Sequence, residues 1–155
     1  MSTIDNIIMQ EAVKLAKEAA EKDEVPVGAV ITHKNKIIAR AHNQVEMLKD
    51  PTAHAEMIAL TQATNYFSSK WLPDCTLYVT LEPCSMCAGA LVLARIKRLC
   101  FGALDEKAGA CGSVVNIAAH KNLNHRVEIK KGLLAEECAG LLSEFFKKKR
   151  KKGAL

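Results

Sequence analysis

Two short motifs, His54-Ala55-Glu56 and Pro83-Cys84-Ser85-Met86-Cys87, constrain this chain more than any other feature. Thiols at i and i+3 of a helix lie on one face and can grip one ion. Proline suits the first turn of a helix, where its missing N–H has no partner, so a helix is expected to open at Cys84. A helix N-terminus also lowers a thiol's pKa and favours the thiolate that a metal requires. The helix carrying His54 would present its own N-terminus to the same point. The fold must therefore bring two helix starts together.

The donor set says what that meeting point holds. One imidazole and two thiolates suit Zn2+. Three protein ligands leave the fourth tetrahedral position open, which separates a catalytic zinc site from a structural one closed by four. An open position takes water, whose pKa the metal lowers to roughly 7. Glu56 lies two residues from a ligand, near the ion without having to bind it, and can move protons between that water and a bound substrate. A lone CxxC is often structural, and a lone histidine is often a hydrogen-bonded core residue. The order His-x-Glu, then Pro-Cys-x-x-Cys, selects the catalytic reading.

At 155 residues the chain reads as a single domain, 1–155, with a core of its own. Hydrophobic residues at 49% and charged residues at 25% are the balance of a soluble globular protein. No apolar run reaches the length of a membrane span, and residues 1–5 lack the pattern of a secretory signal, so a cytoplasmic location is expected. Cys75, Cys100, Cys111 and Cys138 are then read as small buried hydrophobes rather than disulfide partners. The net charge of +5 is concentrated in KKKRKK at 147–152, and without it the chain is nearly neutral. The basic tail, 147–155, is either a solvated end or an electrostatic arm for a polyanion, above all nucleic acid.

Ile4, Ile7, Ile8, Ala12, Leu15, Ala16 and Ala19 recur at helical spacing, with Ser2 or Thr3 as cap. Apolar runs at 27–31 and 36–41 around His33-Lys34-Asn35 predict a β-hairpin. A helix over 53–66 follows Asp50-Pro51-Thr52, a strand over 76–81 ends at Glu82-Pro83, and a helix is predicted over 84–96. Strands at 98–102 and 127–131 flank a glycine-rich loop, and a last helix contains Ala135, Cys138, Leu141, Leu142 and Phe145. This order predicts an α/β fold with three layers, α/β/α: a five-stranded mixed sheet with helices on both faces.

On these residues the chain resembles the zinc deaminases, whose signature is H-x-E…P-C-x-x-C. The likeness extends well beyond the motif. Glu24-Val25-Pro26-Val27-Gly28-Ala29-Val30, His42-Asn43 and the stretches 50–56, 77–84, 101–103, 124–129 and 141–146 are similar to the bacterial tRNA-specific adenosine deaminase family. The resemblance implies a cytidine deaminase-like fold and one Zn2+ per subunit on His54, Cys84 and Cys87, with Glu56 as proton shuttle. It implies a homodimer that converts adenosine to inosine at the wobble position, within the anticodon stem-loop of tRNA, by attack of metal-activated water at C6. Asn43 would then bond the base or its ribose, and Val27 would pack against the base. The backbone N–H groups of Ala55 and Cys84 would steady the attacking oxygen, while Asp105, Lys107 and Phe145 contact the anticodon loop.

Plainer roles stay open for several of these. Asn43 can be a turn residue, Asp105 and Lys107 solvated loop charges, and Phe145 a core residue, with Phe146 stacking on a base instead. The metal set alone does not choose between C4 of cytosine and C6 of adenine. Deamination of a free base or nucleoside, guanine or cytidine, is the alternative activity. A non-catalytic zinc module would leave Glu56 without a task.

Overall fold

Short strands buried on both faces build the centre of the molecule. The computed structural model describes residues 3–153. Among these, β1 (Gly28–His33), β2 (Lys36–His42), β3 (Cys75–Leu81), β4 (Arg98–Ala103) and β5 (Glu128–Lys131) form one five-stranded sheet in the order β2-β1-β3-β4-β5. β1 pairs antiparallel with β2 and β3, whereas β3–β4 and β4–β5 are parallel. The helices are α1 (Thr3–Glu21), α2 (Val45–Leu48), α3 (Ala55–Phe67), α4 (Ser85–Leu93) and α5 (Ala135–Lys151).

Successive strand side chains point to opposite faces. Ala29, Ile31, Leu77, Val79, Leu99 and Phe101 therefore enter one core, with Ala59 and Ala63 of α3 and Ala88 and Leu91 of α4. Val30, Tyr78 and Cys100, the residues between them, pack on Ile8, Met9 and Ala12 of α1. Val13 and Ala103 meet Cys138 of α5. The result is the predicted mixed sheet between two helical layers. α1 lies so close to β1 that a Cβ on Gly28 would stand 2.0 Å from the Ala12 carbonyl oxygen. Cys75, Cys100, Cys111 and Cys138 are buried free thiols. No helix among the described residues is long and apolar enough to cross a membrane.

The hairpin closes through Lys34 and Asn35, both at positive φ (50° and 66°), as a two-residue turn matched to strand twist requires. Several details differ from the sequence reading. The helix predicted over 84–96 stops at Leu93, because Arg95 turns left-handed (φ 55°) while its N–H bonds the Val92 carbonyl and the Ile96 N–H bonds that of Leu91. That pair is a Schellman closure. Buried Ile96 extends the apolar period past the true end. α3 begins at Ala55 rather than 53, since Asp50 Oδ1 accepts both the N–H and the hydroxyl of Thr52 and holds 50–52 in a turn. α2 was not predicted; four residues show no period. α1 runs from Thr3, and the proposed Ser2 cap lies outside the described residues. α5 carries the basic run in helical form to Lys151, and residues 154–155 of the tail lie outside the described part.

Candidate active site

α4 follows directly from the end of β3, and the start of α3 meets it there. His54 and Cys84 are the N-cap residues of α3 and α4, both extended at φ −74° and neither making a side-chain capping bond. Their side chains converge on each other. His54 Nδ1 lies 3.6 Å from Cys84 Sγ and 3.6 Å from Cys87 Sγ, and the three donor atoms stand within 4.8 Å of one another. Sulfur at ~2.3 Å and nitrogen at ~2.1 Å from a tetrahedral zinc ion would be roughly 3.6 Å apart. The trio thus fits one zinc-sized ion in both chemistry and spacing.

Glu56 is 4% exposed and is not part of the trio. Burial pushes its carboxyl up to about 7. Cys84, hydrogen-bonded by Cys87 and then by His54, is pushed down to about 3, while its bond to Cys84 and its burial push Cys87 up.

A cavity of about 550 Å³ opens above this cluster. Of the residues singled out in the sequence, Val27, Asn43, His54, Glu56, Cys84, Asp105 and Phe145 line it, and so does Phe146. Ala55, Cys87 and Lys107 do not, and Cys87 is fully buried. Ala55 is fully buried, and its N–H donates to Asn43 Oδ1 at 2.8 Å. That bond fixes the side-chain amide, whose Nδ2 end has no protein partner among the described residues. Lys107 is exposed, and its N–H, like that of Ala108, donates to Asp105 Oδ1 (3.1 Å each). Phe145 and Phe146 meet edge to face at 5.4 Å. Lys149 reaches from α5 to Asp23 Oδ1 at 3.0 Å, with its ammonium 5.5 Å from the Phe145 ring centre.

Two buried acids on the cavity wall, Glu24 and Glu82, were not recognised from sequence. Glu24 accepts the N–H groups of Glu46 (2.9 Å) and Met47 (2.8 Å), and so holds α2 at the rim. The available signal was an acid beside an apolar run and just before a proline, in Glu24-Val25-Pro26 and Leu81-Glu82-Pro83. An acid there is buried only if donors meet it.

A family model, MafB19-like deaminase, matches residues 4–150. A tRNA-specific adenosine deaminase of Aquifex aeolicus is 55% identical over 142 residues, covering 92% of this chain and 93% of its own length. One from Bacillus subtilis is 49% identical over 150 residues, covering 97% of this chain and 93% of its own. The chain belongs to the tRNA-specific adenosine deaminase family. A solved structure from a study of A-to-I editing by tRNA:A34 deaminases is similar to it at TM-score 0.83 and 42% identity, over 86% of this chain and 97% of that one. Membership makes the protein an enzyme, a hydrolytic deaminase, and its five-stranded mixed sheet is the fold of that relative. Of the signature His54-x-Glu56 and Pro83-Cys84-x-x-Cys87, His54, Glu56 and Cys84 line the cavity, with Cys87 buried behind them.

Proposed function

We propose that this protein deaminates adenosine to inosine at the wobble position of a tRNA anticodon, with one Zn2+ on His54, Cys84 and Cys87 and Glu56 as the proton-transfer group. One observation carries the chemistry. An imidazole nitrogen 3.6 Å from each of two thiols, all three within 4.8 Å of one another, lies beside a buried carboxylate that is not one of them, under a cavity sized for a nucleoside. The names and near-full-length similarity of the relatives supply the substrate. When bound, the ion supplies Lewis-acid activation, bringing the pKa of a water to roughly 7.

The chain's own groups do the rest. Glu56 takes a proton from the attacking water and delivers protons to the ring N1 and to the leaving amine, so adenosine and water give inosine and ammonia. Asn43, oriented by the Ala55 N–H, offers its Nδ2 donors to the base or ribose. Val27 packs against the base. Phe145 and Phe146 form an aromatic rim for neighbouring bases, which a single-stranded loop can splay out at small unstacking cost. Asp105 shapes its loop by accepting the Lys107 and Ala108 amides, which leaves the exposed Lys107 facing the RNA. The whole chain acts as one cytoplasmic deaminase domain that works as a homodimer, and its basic C-terminal run meets phosphates.

The test is to incubate the zinc-loaded protein with unmodified tRNA bearing adenosine at the wobble position, and to sequence the RNA before and after. Inosine at that position is the expected result. Turnover of free guanine or cytidine with no change in tRNA would establish the alternative activity instead.

A further inference from the structure

Glu82 is 2% exposed, yet its carboxylate gathers four hydrogen bonds from a single loop. Oε1 accepts the Asp105 N–H (3.1 Å) and the Ser113 hydroxyl (2.5 Å), and Oε2 accepts the N–H groups of Cys111 and Ser113 (3.1 Å each). Gly109 lies against the same group. A Cβ there would stand 2.4 Å from Glu82 Cδ and Oε2 and 2.5 Å from the Asp105 carbonyl, so the loop closes around the carboxylate only with glycine at this point. The loop also grips the metal-binding turn. Gly109 forms an isolated bridge with Cys84, and the Ala110 N–H bonds the Pro83 carbonyl at 2.9 Å. Its Asp105 and Ala108 line the cavity, as Glu82 itself does.

We infer that Glu82 is a positioning residue, whose carboxylate fixes the loop 105–113 against the turn that carries Cys84 and Cys87 and so registers the substrate wall to the metal ligands. The structural half of this inference stands on the hydrogen bonds alone; the substrate half rests on the deaminase reading. Charge-assisted bonds are about twice as strong as neutral ones. A neutral side chain of the same shape would leave backbone donors facing a donor. On its Ser113 side the loop is also held by backbone bonds, such as that from the Val114 N–H to the Gly109 carbonyl, but the N–H and the hydroxyl of Ser113 itself both end on Glu82.

Two variants test this. Glu82→Gln keeps the shape and turns one acceptor into a donor; Ser113→Ala removes one of the four bonds and leaves Glu82 intact. For Glu82→Gln the expected results are one zinc per chain and faster amide hydrogen exchange confined to 105–113. kcat/KM on tRNA should fall roughly 100-fold, the scale of an ångström's misplacement, carried mainly by KM. Ser113→Ala should show the same localised exchange and a smaller rise in KM, and it decides the matter if Glu82→Gln does not fold. Unchanged exchange and KM in the folded variants would overturn the proposal. So would loss of zinc with the loop still protected, which would assign Glu82 to the metal turn alone. A wild-type protein inactive on tRNA would sink the proposed function, while the exchange measurements would still judge the clasp.

Discussion

Glu56 is the second residue of α3, two positions from His54 and outside the trio. Its separation from the His54–Cys84–Cys87 trio predicts that binding and turnover come apart on mutation. Glu56→Ala should lower inosine formation by at least ~10²- to 10⁴-fold, the usual worth of a positioned proton-transfer group, while metal analysis still finds one zinc per chain. Zinc lost together with activity would make Glu56 a ligand. Cys87→Ala should give the opposite pattern, losing metal first, and dialysis of the wild type against a chelator should abolish activity that added Zn2+ restores. Cys84 and Cys87 were legible because helix geometry puts an N-cap residue and its i+3 neighbour on one face, and His54, 30 positions away, because the order H-x-E…P-C-x-x-C supplies the third donor. Glu24 and Glu82 were not, because their donors arrive from residues more than 20 positions away in sequence, such as Glu46 and Cys111. Asp105 was noticed, but its carboxylate is already engaged by Lys107 and Ala108, a use that only the folded loop reveals.

Between elements, one buried acid ties three of them together. Asp5 of α1 accepts the Tyr78 hydroxyl of β3 at 2.6 Å and the Arg98 guanidinium of β4 at 2.5 Å. Asp5→Ala should cost about 3 kcal/mol in chemical denaturation, since it strands a guanidinium whose side chain is 21% exposed. Burial, and then the bond to Asp5, push the Tyr78 phenol above its ordinary value of about 10. A folded-state pKa above the unfolded one contributes stability below pH ~10 that is lost as pH rises further. Denaturation midpoints should therefore fall as pH rises above about 10, and Tyr78→Phe should flatten that decline. The hairpin strands were readable as short apolar runs bounded by turn residues, because a sheet buried on both faces leaves few polar positions within its strands. The end of α4 was not, because Ile96 serves the closure of the helix with the same apolar character that would have continued it.

Across the whole molecule, charge is segregated where hydrophobicity is not. The basic run at 147–151 is the last part of α5, and Lys149 from it reaches the cavity rim. If those charges meet RNA, replacing Lys147, Arg150 and Lys151 with alanine should reduce the slope of log affinity against log salt by about 2, from roughly 0.7 per phosphate contact on a single strand. Fluorescence anisotropy with labelled anticodon stem-loop between 50 and 200 mM salt measures it, and an unchanged slope would remove the tail from the binding surface. The order of elements was enough to predict the three layers, whereas the closeness of α1 to β1 hangs on the single missing side chain of Gly28. The two inward-facing helices start on a histidine and a cysteine that make no capping bond. Serine or aspartate at either position would typically strengthen a helix by about 1 kcal/mol, so a search for greater thermal resistance would find both changes attractive. Each would discard one of the proposed metal ligands, and a sturdier, inert protein would be the outcome.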